Sequence, residues 1–293
     1  MYFEISHKTT YTYSRPVFLE PHHLRLRPRC DGVQKLTYFD SKIEPVPVGS
    51  SDVIDLDGNI TANVWFEGLT KTLVVKSRAK VITQYRNPFN YLLADRADRL
   101  PISYIDPIKP YVAPYIDRLG DSDVVERFAR QIANQTEWKT LRFLTALNRE
   151  IYECCQLTKP EPGTPQAAEK TLLRKRGSCR DLAVLFMETC RYVGIAARYV
   201  RGYRDNGAED HMRYLAAWGE VYLPGAGWRG YDPSLGLAVT DRHVALAAAG
   251  IPLLAAPVAG TFRGNAVTPE LNAVIEIRVG DDSEFVSTTG AAS

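Results

Sequence analysis

Residues 177–203 read GSCRDLAVLFMETCRYVGIAARYVRGY, and a change of period inside them decides the fold. Gly177 breaks into a helix whose inner face, Leu182, Leu185, Phe186, Thr189, Cys190 and Val193, recurs at three- and four-residue steps. Ser178 and Asp181 form an S-x-x-D capping box at its start, Gly194 ends it, and Ile195–Tyr203 continues as a strand. A polar loop over 204–213 leads to a strand over Tyr214–Leu223, a Pro-Gly-Ala-Gly turn and a strand over Trp228–Asp232. A helix running into an antiparallel hairpin is the frame of an α+β protein.

Upstream of this frame the helical period persists back to about residue 122. Leu141, Leu144, Leu147, Ile151 and Cys154 define one face of a helix within 136–157, and Thr164-Pro165 signals a further helix start. Residues 86–120 hold Pro88, Pro101, Pro107, Pro110 and Pro114 with neither period, which predicts an extended connector. The first 85 residues read as β. Phe3, Ile5, His7, Thr9, Tyr11 and Tyr13 alternate, Asp57-Gly58-Asn59 marks a turn, and strand patterns follow over Ile60–Phe66 and Thr72–Thr83. Arg25, Arg27 and Arg29 read as a solvated strand edge. Downstream, an Ala-rich helix is expected from about Asp241 and a last strand near Leu271–Val279. The expected organisation is an N-terminal antiparallel β domain (1–85), a Pro-rich connector (86–120), a core (121–280) and a polar tail (281–293).

Composition narrows the function. The 293 residues carry 36 Lys+Arg against 34 Asp+Glu, a net charge of +2, which provides no basic field for nucleic acid. A 45% hydrophobic content excludes intrinsic disorder. The uncharged stretch 244–260 is broken by Gly250, Pro252 and Pro257 and falls short of the roughly 20 apolar residues a membrane span needs. A buried helix followed by a loop is expected there. The alternating, charged N-terminus reads as a strand rather than a signal peptide. Five cysteines in no regular framework read as reduced thiols, and the expected location is cytoplasmic. No CxxC occurs, and adjacent Cys154 and Cys155 point about 100° apart on a helix, so no metal and no organic cofactor is expected.

Chemistry concentrates at Cys179, in the first helical turn, where unpaired N–H groups and the helix dipole favour a thiolate. Cys190 faces the core. By itself the Cys179 signal fits a buried structural residue as well as a nucleophile.

The run AWGEVYLPGAGWRGYDPS (217–234), together with GSCRDLAVLFMETCRYVGIAARYVRGY, resembles the core of the transglutaminase-like family. YTYSRPVFLEPHHLRLRPR and VAGTFRGNA extend the resemblance to the bacterial transglutaminase-like group of cysteine proteases and amidases with an N-terminal β domain. The resemblance implies a papain-like core of helices packed on an antiparallel sheet, with a Cys–His–Asp triad. It implies attack of a thiolate on an amide carbonyl to give a thioester, with a peptide or amide as substrate. Cys179 matches the nucleophile and Asp232 the acid that orients the imidazole. The histidine precedes Ala-Trp in the family's His-Ala-Trp run, and here the residues are Leu215-Ala216-Ala217-Trp218. Position 216 is alanine, so the general base is missing.

If Tyr222 pairs with Trp228 across a five-residue turn, Trp218 lies opposite Asp232 and position 216 becomes its same-face diagonal neighbour, at about 7–8 Å. A four-residue turn would place them on opposite faces. Sequence leaves the register open. His211 is the candidate substitute base, although it reads equally as a solvated loop residue, as does His243 near an expected helix start. Trp218 is a candidate for the substrate pocket, and Arg180 for holding a thiolate. Three readings stand: a cysteine hydrolase or acyl-transferase whose base has been removed, an arrangement that traps a substrate; a natural pseudoenzyme that binds peptides in the old cleft; and a working enzyme with His211 or a water chain as base. No membrane is expected as partner, and the oligomeric state is left open.

Overall fold

The computed structural model describes residues 1–161, 163–205 and 215–280. The expected loop base His211 and the polar tail 281–293 lie outside the described residues. Two antiparallel sheets, a group of helices and one short parallel pair, β6 (Gln156–Leu157) with β7 (Arg176–Gly177), make up the described residues.

The N-terminal sheet is organised around one long strand, β1 (Tyr2–Leu24). Its alternation of apolar and polar residues buries Phe3, Ile5, Val17 and Leu19 on one face. One edge of β1 carries β5 (Leu69–Thr83) and then β4 (Ile60–Trp65). β2 (Gln34–Glu44) pairs outward on β5, and β3 (Gly49–Ile54) on β4. The other edge carries the last two strands, β14 (Pro269–Gly280) along Tyr2–Tyr13 and β13 (Val258–Arg263) along Phe18–Leu24. Strands near both ends of the described residues therefore meet in one sheet. The sequence-based division that kept 121–280 together does not follow the sheets, because residues 258–280 complete the N-terminal one. These strands lack partners local in sequence, and a long-range pairing of this kind leaves no periodic signal beyond their own alternation.

Residues 86–120, expected as an extended Pro-rich connector, include a helix, α1 (Lys109–Ile116), with Pro114 inside it. The segment is also not superficial. Ala97, Leu100, Ile102, Tyr104 and Val112 are buried in the helical core.

The second sheet has the order β11 (Leu237–Ala238), β10 (Gly227–Asp232), β9 (Ala216–Leu223), β8 (Ala197–Arg204), β12 (His243–Ala249). Helices α2 (Asp123–Gln135), α3 (Thr140–Cys154), α4 (Ala168–Arg174) and α5 (Cys179–Tyr192) cluster about one face of it. Tyr199, Ala217, Val221, Tyr231, Ala247 and Ala249 join the helical core on that face. The alternate residues Val200, Ala216, Trp218 and Ala248 bury a separate small cluster on the other. Tyr203, Val244 and Leu246 join the N-terminal core, so the two sheets share packing.

The Ala-rich helix expected from Asp241, and the buried helix expected over 244–260, do not form: His243–Ala249 is strand, and only a short 3₁₀ turn follows at Pro252–Ala255. His243–Ala249 pairs with β8 along its length. Alanine's helix preference is a few tenths of a kcal/mol per residue relative to most alternatives, which one ladder of backbone hydrogen bonds in a fully buried sheet outweighs. β12 is an edge strand, yet its outer groups are satisfied by side chains of the N-terminal domain. Gln34 Nε2 donates to the Ala245 carbonyl at 2.9 Å and its Oε1 accepts from the Ala245 N–H at 2.8 Å. Asn59 does the same for Ala248, at 2.8 and 2.9 Å. Two amide side chains thus mimic a neighbouring strand.

Candidate active site

α5 starts as its sequence requires. Ser178 N–H and Oγ donate to Asp181 Oδ2 at 2.7 and 2.8 Å, and the Gln166 N–H donates to Oδ1 at 2.7 Å. The capping box fixes the first turn and hence Cys179. Gly177 is required by the same closeness, since a Cβ there would lie 2.8 Å from Asp181 Cβ.

Cys179 is half-buried at the first position of α5. Its Sγ lies 3.7 Å from the Leu215 carbonyl oxygen and takes a hydrogen bond from the Ala217 backbone. The sulfur is therefore set against the start of β9, on either side of residue 216. Arg201 Nη1 donates to the same Leu215 carbonyl at 3.2 Å. Burial pushes the thiol up from its ordinary value, opposed by the Arg201 and Arg204 guanidinium charges and reinforced by the Asp232 carboxylate. The lowered thiol expected from the helix terminus is therefore not the outcome, because desolvation outweighs it. Arg180 does not help either. It turns away to the carbonyls of Glu161 and Gly163.

The hairpin adopts the five-residue turn, with Trp228 opposite Tyr222 and Tyr231 opposite Gly219. That register carries Asp232 onto the face of Trp218 and Ala216. Asp232 is fully buried and fully partnered. Oδ1 accepts from Ser234 N–H and Oγ at 2.9 and 2.6 Å; Oδ2 accepts from Arg204 Nη1 at 2.7 Å and His243 Nε2 at 3.3 Å. Burial alone would raise its carboxyl, but the His243 hydrogen bond and the Arg204 charge hold it at about 2.

His243 is the residue that sequence reading placed wrongly. It opens strand β12, not a helix, and is buried rather than solvated. Its Nδ1 accepts from the Thr240 N–H at 3.4 Å while Nε2 meets Asp232, so the hydrogen-bond pattern fits the tautomer with its proton on Nε2. Both ring nitrogens are engaged away from Cys179. Arg201, Arg204 and His243 lie on other strands of the sheet, and only Ser234, two residues beyond Asp232, carried a local signal.

Trp218 is 1% exposed and packs against His243 at 5.3 Å between ring centroids. It therefore backs the site and does not line a substrate pocket. Cys154 and Cys155 do not diverge as two helical side chains would. Cys155 leaves the helix as its C-cap, and the two sulfurs lie 3.5 Å apart. Among the described residues no cluster of three or more His, Cys, Asp or Glu side chains is arranged to hold a metal.

A thiol at the first turn of a helix, set against a strand whose hairpin partner carries a buried aspartate, defines the transglutaminase-like class of thiol proteins with a papain-like core. The chain belongs to that family: residues 3–82 match the bacterial transglutaminase-like N-terminal region and residues 126–233 the transglutaminase-like superfamily. No protein of curated function matches the sequence. Among solved structures, a candidate cysteine protease from Cytophaga hutchinsonii shares the fold, with a TM-score of 0.72 at 18% identity over 95% of this chain and 90% of that one. The periplasmic domain of TgpA from Pseudomonas aeruginosa, bound to ethylmercury, aligns at a TM-score of 0.39 and 14% identity over 78% of this chain and 90% of its own. A second structure of that domain aligns at 0.39 and 13%, over 78% and 87%.

Proposed function

We propose that this protein is an amide-directed transglutaminase-like thiol protein, of cysteine protease or amidase type, in which turnover is impaired because alanine occupies the base position. The observation that carries the reading is the placement of residue 216. The Cys179 sulfur touches the backbone of the residues on both sides of it, and Asp232 shares its face of the sheet. A base at 216 would sit between nucleophile and acid. With Ala216 there, attack on a carbonyl carbon has no side chain at that position to take the thiol proton, or to return one to the leaving amine. What remains is a thiol that accepts an acyl group slowly and holds it as a thioester. A peptide or amide is the expected ligand. The five free thiols support a reducing, cytoplasmic location.

A second reading, a peptide-binding pseudoenzyme, is favoured by the complete occupancy of Asp232. Its carboxylate serves as a node joining β8, β10 and β12, and an incoming imidazole would have to displace His243 or Arg204.

The substitution Ala216→His separates the two. General base catalysis contributes roughly 10²–10⁴-fold, so under the first reading the variant gains at least 10²-fold in thiol alkylation rate at neutral pH and turns over a peptide-amide panel. Unchanged alkylation with no turnover, alongside peptide binding by calorimetry that survives Cys179→Ser, supports the second reading and defeats the first. Replacing His211 by Ala tests the remaining route: a residual activity that survives the change eliminates that histidine as base.

A further inference from the structure

β14 runs for 12 residues along the outer side of β1, and among the described residues its own outer side pairs with nothing. Long edge strands normally carry devices that prevent pairing with another chain, such as bulges, central prolines or inward-facing lysines. β14 has none of these. Its register with β1 is unbroken from Tyr2 to Tyr13, its one proline is its first residue, and its charged side chains are Glu270, Glu276 and Arg278. Leu271 and Val274 are 58% and 51% exposed.

We propose that β14 is a homodimer interface, at which two copies of this chain pair their β14 strands antiparallel and join their N-terminal sheets into one continuous sheet. The strand's own sequence specifies the register. A two-fold axis relating two antiparallel copies of one strand must pass through a residue that faces its own counterpart. Centred on Val274, the axis sets Arg278 opposite the partner's Glu270 at both ends, and Glu276 opposite the partner's Asn272. On the other face Ile277 meets the partner's Leu271, and Ile275 meets the partner's Ala273, so apolar faces apolar and the exposed Leu271 is covered. Centring on Ile275 sets Arg278 opposite the partner's Asn272 and Glu276 opposite the partner's Val274, so no ion pair forms. Centring on Ala273 sets Glu276 against the partner's Glu270, and centring on Glu276 sets that glutamate against itself. Like charges directly opposite are destabilising. Centring on Ile277 also pairs opposite charges, but leaves 269–273 without partners. Only the Val274 axis combines full overlap with two Arg–Glu pairs.

The interface buries side chains along two strands, which places it at the small end of specific interfaces, with a dimer that dissociates on dilution. Sedimentation velocity of the full chain between about 1 and 100 μM should show a concentration-dependent monomer–dimer equilibrium. Arg278→Glu, which sets two glutamates opposite each other at both ends, should weaken association at least tenfold. Glu270→Arg alone should do the same, and the double charge swap should restore it. These side chains are at the surface, and thermal melts matching the wild type establish that each variant folds. Register is read by disulfide trapping in a Cys30→Ser background. Val274→Cys should form a covalent dimer under mild oxidation, whereas Asn272→Cys and Glu276→Cys, each displaced from its own counterpart, should not. A strictly monomeric chain across the range, trapping that is equal at the three positions, or a double swap that fails to restore association would each overturn the proposal.

Discussion

Asp232 carries four hydrogen bonds at a site fully removed from water, and their arrangement says what the residue now does. An acid that only oriented an imidazole at position 216 would keep one oxygen open toward it. Here both oxygens are filled from β8, β12 and the turn after β10. Asp232→Asn keeps the shape but removes the buried carboxylate charge from its ion pair with the Arg204 guanidinium, 11% exposed. Breaking such a pair costs about 3–5 kcal/mol, and a urea titration should show a loss in that range with an unchanged slope. The same group sets part of the acid limit. Its carboxyl ionises at about 2 in the fold against an ordinary 3.8, so on acidification the unfolded chain takes up the proton first. The stabilisation, roughly 2 kcal/mol, is complete above about pH 4 and disappears between about 4 and 2. Asp232→Asn should flatten the wild-type fall in stability across that window, and a fall as steep as the wild type's would remove the aspartate from the account.

At the level of elements, β12 is where local preference and final structure part. The capping box of α5, its apolar face and the hairpin that follows were all legible because each is specified by residues within one or two turns of itself. The four alanines, leucine and glycine of 245–250, by contrast, have a weak preference of their own and take their conformation from β8 on one side and from Gln34 and Asn59 on the other. For the same reason the Cys179 and Asp232 positions could be read from motifs, whereas Arg201, Arg204 and His243 could not. They reach the site from strands whose order in the sheet no local pattern encodes. The side-chain caps make a direct prediction. Asn59→Ala strips the Ala248 N–H and C=O of their partners in a buried setting, at about 1–3 kcal/mol for each unsatisfied group. Chemical denaturation should show a loss of at least 2 kcal/mol, and amide exchange should accelerate at Ala248 more than at residues of β8. Gln34→Ala should act likewise at Ala245. Because the two amides contact different residues of β12, their costs should be close to additive. Exchange that is unaltered along β12 in both variants would show that the strand holds its place without these amides.

The whole molecule is tied together by such crossings, and its two sheets should unfold as one unit. β13 and β14 come from the end of the chain yet complete the first sheet, while Gln34, Asn59 and Thr83 of the first module hold backbone groups of the second. His7 marks the contact with a titratable group. Its Nδ1 meets the Tyr203 hydroxyl at 2.9 Å and its Nε2 the Thr9 hydroxyl at 3.0 Å. Burial, with the nearby Arg201 charge, lowers its pKa from 6.5 to about 4. The unfolded chain therefore binds this proton at pH values where the folded one does not, and stability falls as pH drops from about 6.5 to about 4. Over the first 1.5 pH units of that window the loss from His7 is about 2 kcal/mol. His22, lowered mainly by burial, adds to it in the same sense. Replacing His7 by Phe removes two hydrogen bonds and so lowers stability at every pH, but it also removes the titration. Urea midpoints at pH 7 and pH 5 should therefore converge in the variant relative to the wild type, leaving only the His22 share of the difference. An equal gap in the two proteins would mean that His7 does not couple the sheets to pH, whatever the variant costs at neutrality. Loss of signal in two steps, rather than one, would mean that these crossings do not bind the modules into a single folding unit.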